Sequence, residues 1–145
     1  MPGVTAAFAA PAGMGVSLTE RGVTDTLVFA TGASRVGDGL PDRSRHALPG
    51  TTLVLYLAIK NGSAICANLL ASGLPPETAV RVVAKASTAQ EGRIETTLGG
   101  LTTDLTSHGI NGAAVIFLTI PKPAVSEQQP NSPPAPLRPS DARQA

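Results

Sequence analysis

The residues of this chain that could carry nucleophilic or metal chemistry are few and widely separated. Two histidines, His46 and His108, are available for proton transfer or metal ligation, and Cys66 is the one thiol. Neither histidine has a second histidine or a carboxylate at ligand spacing, so both are predicted to be surface residues and no metal site is predicted. Cys66 lies beside Leu69 and Leu70 on one side of a predicted helix, which favours a core residue over a nucleophile. The sequence contains no phosphate loop, CxxC pair, HExxH pair or GxSxG turn.

Three stretches have the composition of a ligand-binding surface. In the first, Pro2–Ala7, a helix start lined by small residues would present free backbone N–H groups to a ligand. The second, Leu18–Gly22, carries Arg21, whose guanidinium could hold an acidic substrate. The third, Lys85–Arg93, is polar and follows a predicted strand, where α/β sheets bind their ligands. Plain helix packing, a solvated turn and an ordinary hairpin connection stay open as structural interpretations of these stretches.

The hydrophobic pattern supplies the elements that would position these stretches. It predicts five strands, which are Thr26–Thr31, Thr51–Ile59, Thr78–Ala86, Arg93–Leu98 and Ala113–Ile120. It also predicts three helices, which begin at Pro2, at a cap formed by Asn61 or Ser63, and at Thr102 or Thr103. Pro11 is expected to kink or end the first helix. A surface loop with one helical turn near Ser44–Leu48 is expected between the first two strands.

The order of these elements predicts an α/β fold with a mixed five-stranded sheet flanked by helices. Strands joined by helices favour parallel pairs, whereas the short link Ser87–Gly92 permits a hairpin. Residues 1–121 would form this single domain. Residues 122–145 are expected to be a disordered, Pro-rich tail, because they have too little apolar surface to offset the entropy of ordering them.

Composition excludes several classes of function. Eight Lys and Arg balance eight Asp and Glu over residues 1–120, so the basic excess typical of nucleic-acid binding is missing. The longest apolar runs have eight residues each, which is too short for a membrane span of about 20 residues. No charged leader precedes the apolar N-terminal stretch, and one cysteine cannot form an internal disulfide framework. We therefore expect a cytoplasmic protein with neither nucleic-acid nor membrane partners.

Several motifs, taken in their order along the chain, resemble those of the tetrapyrrole methylase family. They are PGVTAA at 2–7, GVSLTERG at 15–22, TDTLVFATGA at 24–33, LVLYLA at 53–58, ICANLLASGLPPET at 65–78, VVAKASTAQEGR at 82–93 and TL at 97–98. The combination of LTERG with the following DTLVFATG is most similar to the branch of the family that methylates uroporphyrinogen III. Leu57 stands where the family usually has methionine, and Glu20 and Ala33 stand where it usually has histidine.

This resemblance implies transfer of methyl groups from S-adenosyl-L-methionine to ring carbons of uroporphyrinogen III. The product would be precorrin-2, on the route to cobalamin or sirohaem. The family folds as two α/β domains with the cofactor between them and usually forms a homodimer. The resemblance assigns four cofactor-binding residues, which are Thr5, Ala6, Leu57 and Ala86. Within the second stretch, Thr19 and Arg21 are the candidate contacts for the tetrapyrrole substrate.

The resemblance covers only the second, C-terminal domain of the family. The GxGPGDP and GGDP loops and the acid and base residues belong to the first domain, which would precede Pro2, so no catalytic residue is assigned here. We therefore interpret the chain as a truncated or split methyltransferase, inactive alone, whose first domain comes from a separate chain or from a longer gene. Two alternatives stay open: a non-catalytic dimerisation or ligand-binding module that keeps the fold, and a domain of another precorrin methyltransferase.

Overall fold

The strands of this chain form one mixed sheet with helices on both of its faces. The computed structural model describes residues 3–33 and 42–124. Its strands are β1 Thr26–Thr31, β2 Thr51–Tyr56, β3 Ala79–Ala84, β4 Gly92–Thr97 and β5 Ala114–Ile120. Its helices are α1 Ala6–Met14, α2 Gly62–Ala71 and α3 Leu101–Ser107, and short 3-10 turns occupy Ser44–His46 and Ile59–Asn61. The expectation of a disordered tail falls almost entirely on residues 125–145, which lie outside the described residues.

The strand order across the sheet is β1-β2-β5-β3-β4. β1 and β2 are parallel, β5 is antiparallel to both of its neighbours, and β3 and β4 form an antiparallel hairpin. The predicted mixed five-stranded sheet and its hairpin are therefore confirmed. The strands joined by helices do run in the same direction, but one strand separates each such pair. β5 takes the central place because all its residues but one are buried and an edge position would expose them.

Burial follows the position of each strand in the sheet. β2 is apolar almost throughout and is buried on both faces, whereas β4, at one edge, buries only Ile94. The side chains of Arg93 and Glu95 place charges along the β4 edge, and such charges discourage pairing with another chain.

The two faces of the sheet carry separate hydrophobic clusters. The larger cluster packs under α2 and α3 and includes Ile65, Cys66 and Leu69, which confirms the predicted apolar side of α2. The smaller one, called the α1-side cluster here, consists of Ala7, Ala10, Val54, Val83, Val115 and Phe117. Partly buried side chains of α1, of β2 and of the segment after β3 pack against it.

The first helix starts later than predicted. It begins at Ala6, with Thr5 as its N-cap, and continues through Pro11 to Met14 before Gly15 ends it with φ +67°. A proline inside a helix removes one backbone hydrogen bond, yet Pro11 is buried. We infer that this burial offsets the lost bond, so of the two outcomes expected at Pro11, a kink or an end, the helix does not end there.

Two strands end earlier than predicted because the backbone turns sharply after them. Leu57 has a φ of +53°, so β2 stops at Tyr56 rather than at Ile59. Lys85 and Ser87 have φ values of +49° and +63°, so β3 stops at Ala84. Left-handed conformations in residues other than glycine are uncommon, and no local pattern announces them.

The starts of α2 and α3 match their predictions only in part. Asn61 is the N-cap residue of α2, one of the two caps predicted, but its side chain does not bond to the helix, because its Nδ2 donates to the Gly32 carbonyl at 2.7 Å. The predicted start of α3 at Thr102 or Thr103 lies one or two residues too late. α3 begins at Leu101, and its first turn is tied to β4 by a hydrogen bond from the Thr96 hydroxyl to Asp104.

Candidate functional site

The carboxyl ends of β1, β2 and β3 lie together along one boundary of the sheet, at the ends of the strands, and this boundary is the edge described below. β5 is antiparallel to its neighbours, so its amino end lies at the same edge, between β2 and β3. Leu57, Lys85 and Ser87, the residues other than glycine with positive φ in the described part of the chain, all lie here. Backbone strain of this kind persists only where the surrounding structure enforces it, and it is frequent at functional sites. The predicted cofactor contacts lie close to this edge, as follows from the contacts of Tyr56 and Ala86.

Tyr56 brings the start of α1 to this edge. Its hydroxyl shares a hydrogen bond with the hydroxyl of Thr5 and accepts one from the Ala7 N–H at 3.2 Å. Tyr56 is the last residue of β2, so the next residue, Leu57, is held near the Thr5 segment. Two predicted cofactor contacts that are fifty-two residues apart in sequence (57 minus 5) are thus brought together.

The other two predicted cofactor contacts lie against one hydrophobic cluster. Ala6 and Ala86 are both partly buried, and both pack on the α1-side cluster. Ala86 comes two residues after the end of β3. The amino end of β5 lies between the two segments, since Ala114 pairs with Ala84 and Val115 pairs with Tyr56. All four residues thus lie at the same end of the sheet, around the amino end of β5, and we call this place the notch.

The start of α1 offers fewer free N–H groups than its sequence suggested. The amides of Phe8 and Ala9 donate to the Thr5 carbonyl at 3.0 and 3.1 Å. The Ala7 amide is shared between the hydroxyls of Thr5 and Tyr56. The expected row of ligand-binding N–H groups is therefore mostly used inside the chain, and a ligand here would meet small side chains rather than an anion-binding helix end.

Apolar side chains are exposed on the same side of the molecule. The side chain of Leu57 is 69% exposed, and Val4, Phe8 and Phe29 are also exposed. The rings of Phe8 and Phe29 meet edge to face, with centroids 5.6 Å apart, so α1 and β1 present one continuous apolar surface. We call these four residues the apolar rim.

The two predicted substrate contacts lie elsewhere. Thr19 and Arg21 are exposed in a turn closed by paired hydrogen bonds of 2.9 Å between Glu20 and Thr24. This turn leads into the start of β1, and the Lys122 amide, just after β5, donates to the carbonyl of Val23. The turn is therefore anchored at the opposite edge of the sheet from the notch, so a ligand touching both places would have to extend along the sheet.

The residues with intrinsic chemistry take no part in the notch. His46 and His108 are exposed, and Cys66 is buried, where burial raises the pKa of its thiol. No group of three potential ligands among His, Cys, Asp and Glu occurs within the described residues. A groove of about 370 Å³ between α2 and α3 is lined by hydroxyls and Lys60 but contains none of the predicted contacts.

Sequence reasoning missed two residues that shape the notch. Tyr56 lies inside a predicted strand, and nothing in the sequence links it to Thr5. Glu91 belongs to a stretch singled out for its polarity, but its contacts with Ser87 and Arg93 were not foreseen. The i, i+4 spacing of Ser87 and Glu91 was the one available signal.

A model of the family described as Tetrapyrrole (Corrin/Porphyrin) Methylases matches residues 1–102 of this chain. A uroporphyrinogen-III C-methyltransferase from Sinorhizobium sp. is 34% identical over 121 residues, which cover 81% of this chain and 43% of that protein. A chloroplastic S-adenosyl-L-methionine-dependent uroporphyrinogen III methyltransferase from Arabidopsis thaliana is 32% identical, with 81% of this chain and 32% of that protein covered. The chain thus spans less than half the length of these curated relatives.

Solved structures show the same architecture. A cobalt precorrin-4 methyltransferase is similar with a TM-score of 0.71 and 27% identity, over 81% of this chain and 50% of that one. A uroporphyrin-III C-methyltransferase from Thermus thermophilus, complexed with S-adenosyl homocysteine, has a TM-score of 0.69 and 28% identity, over 82% of this chain and 49% of that one. None of the helices in the described residues is long and apolar enough to cross a membrane.

Proposed function

The chain belongs to the tetrapyrrole methylase family, and we propose from this that it supplies one half of an S-adenosyl-L-methionine-dependent methyltransferase acting on a tetrapyrrole. The substrate we propose is uroporphyrinogen III, and the product is precorrin-2. The names of two relatives support this substrate, as does the LTERG and DTLVFATG pair in the sequence. Thr19 and Arg21 remain the candidate substrate contacts.

The observation that carries the proposal is the meeting of Thr5, Ala6, Leu57 and Ala86 at one notch. Methyl side chains at Ala6 and Ala86 leave their backbone open to close approach, and Leu57 projects into solvent beside them. A site with small apolar walls and a few polar backbone groups suits a nucleoside better than a highly charged ligand. The residues present therefore fit an adenosyl cofactor.

The cofactor, when bound, supplies the electrophilic methyl group. The chain itself would bind and orient: the Ala6 and Ala86 segments would limit the position of the adenosyl group, and Leu57 would shield it from water. No side chain of the notch is placed to exchange a proton with substrate, because the Tyr56 and Thr5 hydroxyls bond to each other. Proton transfer is therefore assigned to the other half of the enzyme.

The exposed apolar rim supports the proposal that this half of the enzyme binds another polypeptide. Four large apolar side chains exposed beside a ligand site are typical of a surface that another polypeptide covers. We propose that this polypeptide supplies the first domain, either within a longer chain or as a separate chain, and that the assembly is a homodimer in the cytoplasm.

The proposed activity is tested by supplying the family's first domain from a relative. The chain alone, incubated with labelled S-adenosyl-L-methionine and uroporphyrinogen III, is expected to give no methylated product. Mixing it with the first half of the Sinorhizobium relative should restore methylation. Persistent inactivity of the mixture, together with binding of S-adenosyl homocysteine, would favour a non-catalytic ligand-binding module instead.

The notch is tested by enlarging one of its walls. Ala86→Leu should abolish binding of S-adenosyl homocysteine in the reconstituted pair, because the added side chain would occupy the space of the cofactor. Ala89→Leu is the matched control, since Ala89 is exposed on the same connection and has no assigned contact. Calorimetric titration and thermal unfolding of both variants would separate the outcomes. Unchanged affinity of Ala86→Leu, or loss of its fold, would assign Ala86 to packing.

A further inference from the structure

We propose that Glu91 is a positioning residue, whose carboxylate holds the turn Lys85–Thr88 in the conformation that presents Ala86 to the cofactor. This proposal rests on the proposed function for the use of Ala86. The role of Glu91 is indirect, because its contacts are with the turn and with Arg93 rather than with the notch itself.

The contacts of Glu91 are short and charge-assisted. Its Oε2 accepts a hydrogen bond from the Ser87 backbone N–H at 2.6 Å, one residue beyond Ala86. Its Oε1 accepts one from Arg93 Nε at 2.6 Å and lies 2.6 Å from Arg93 Nη2. The Glu91 side chain is only 16% exposed. Hydrogen bonds to an ionised carboxylate are stronger than neutral ones, so Ser87 is held firmly.

The turn needs such a restraint because its backbone is strained. Ala86 lies between Lys85 and Ser87, whose φ values of +49° and +63° are unfavourable for residues with a β-carbon. The Lys85 carbonyl accepts from the Thr88 hydroxyl at 2.8 Å, which closes the turn but leaves the Ser87 amide free. In the described residues the Glu91 carboxylate is the group that engages this amide. Without it, the turn could relax toward ordinary φ values and move Ala86.

The same ion pair also contacts the helix that carries the other cofactor residues. A β-carbon built on Gly13, near the end of α1, would lie 3.2 Å from Nη2 of Arg93. The guanidinium therefore packs directly against α1, whose opposite end carries Thr5 and Ala6. Glu91 and Arg93 thus connect the Ala86 turn to α1.

The Ser87 amide acts on the charge of Glu91 together with Arg93. Lys85, in the same turn, bonds through Nζ to Gln90 Oε1 at 2.7 Å rather than to the carboxylate. The Ser87 amide and Arg93 hold the pKa of the Glu91 carboxyl below its ordinary value. Glu91 is thus ionised at neutral pH.

The chain provides a matched control on the same sheet. Glu95 pairs with Arg81 at 3.1 Å across β3 and β4, and its side chain is 68% exposed. This pair has the same charges and the same hairpin as the Glu91 pair but does not touch the turn. Removing Glu95 therefore reproduces the loss of an ion pair without the loss of the restraint.

The restraint is measured on the full chain without cofactor. Amide hydrogen exchange of Ser87 should accelerate by about tenfold or more in Glu91→Ala. It should accelerate less in Glu91→Gln, which keeps an acceptor oxygen. Glu95→Ala should leave it unchanged. The Ser87 amide shift should titrate with acid in the wild type and lose this titration in Glu91→Gln. Equal exchange rates in all four proteins would overturn the proposal.

The effect on the cofactor is measured in the reconstituted pair with S-adenosyl homocysteine. Glu91→Ala should weaken its affinity about tenfold while the protein stays folded with only a small loss of Tm, and Glu91→Gln should be intermediate. Affinity equal to that of the wild type would overturn the positioning role. If Glu91→Ala does not fold, the affinity of Glu91→Gln for S-adenosyl homocysteine tests the positioning role instead. Should the wild type bind no S-adenosyl homocysteine, the proposed function fails, and the Ser87 exchange still shows whether the restraint exists.

Discussion

The side chain of Tyr56 connects two elements of the fold through a single hydroxyl group. One hydroxyl bonds both to the Thr5 side chain and to the Ala7 amide, and it thereby joins α1 to the end of β2. The Ala7 amide is thereby satisfied, while the next two amides of α1 donate to the Thr5 carbonyl. A phenol is suited to this task because its ring packs on the α1-side cluster while its hydroxyl reaches the helix.

Tyr56→Phe should therefore destabilise the fold by about 0.5–1.5 kcal/mol, the usual contribution of a hydrogen bond. The loss should be coupled to Thr5, so a double-mutant cycle of Tyr56→Phe with Thr5→Val is the sharper measurement. Urea unfolding of the four proteins would provide it. Strict additivity of the two changes would contradict the contact between the hydroxyls.

At the level of elements, the close approach of β1 to the segment after β2 shapes this edge of the sheet. The Gly32 amide donates to the Tyr56 carbonyl at 2.6 Å, and the Gly32 carbonyl accepts from Asn61. A β-carbon at position 32 would lie 2.6 Å from the β-carbon of Ala58 and 3.0 Å from Ile65 Cδ1. Only glycine leaves room for the two connections to meet here.

Gly32→Ala is accordingly expected to lower the free energy of unfolding by about 1–3 kcal/mol, the usual cost of overpacking. Gly112→Ala is the control, because a β-carbon there would meet no atom within 4 Å. Chemical denaturation of both variants would measure the difference. A Gly32→Ala protein as stable as Gly112→Ala would show that β1 and the Ala58 segment can separate without cost.

Across the whole molecule, the ionisable groups define a pH range of greatest stability. Hydrogen bonds and nearby charges lower the pKa of three carboxyls, chiefly through Lys122 for Asp25, Ser44 for Asp42 and the Ser87 amide for Glu91. Burial raises the pKa of the Cys66 thiol. A lowered carboxyl pKa stabilises the fold above the unfolded value, and a raised thiol pKa stabilises it below the unfolded value.

Stability should therefore fall as the pH drops below ~4, where these carboxyls begin to bind protons in the unfolded chain, and should fall again above pH ~8.5. Thermal unfolding from pH 3 to 10 measures both limbs. Cys66→Ala should lose part of the alkaline decline and keep the acid one. An alkaline limb unchanged in this variant would remove Cys66 as its cause.

The sequence predicts some parts of this structure well for physical reasons. The ends of β1 and the burial of the apolar strand β5 follow from the hydrophobic pattern, which reports burial directly. Asn61 is the N-cap residue of α2, but the partner of its side chain was not predicted, because Gly32 is distant in sequence. The left-handed turns at Leu57 and Ser87 depend on tertiary contacts, so β2 and β3 were extended too far.

The candidate site also has a part that was predicted, its four cofactor residues, and a part that was not, the contacts that hold them. Thr5, Ala6, Leu57 and Ala86 were assigned by resemblance, and spacing alone would not have grouped them. The contacts that hold them, through Tyr56 and Glu91, join segments from different strands and helices. Such contacts depend on which strands are neighbours, and the place of β5 between β2 and β3 was not predicted.

The central position of β5 has a consequence for the order of folding during synthesis. The β1–β2 pair and the β3–β4 hairpin do not touch through strand pairing until residues 114–120 have joined them. A nascent chain ending before Ala114 would hold two separate ribbons, each with an unpaired apolar strand exposed. Because pairing distant segments is slow, this interval is when the chain would most need a chaperone. Ribosome-bound chains ending before 114 should be protease-sensitive, and those with 120 residues clear of the exit tunnel should resist.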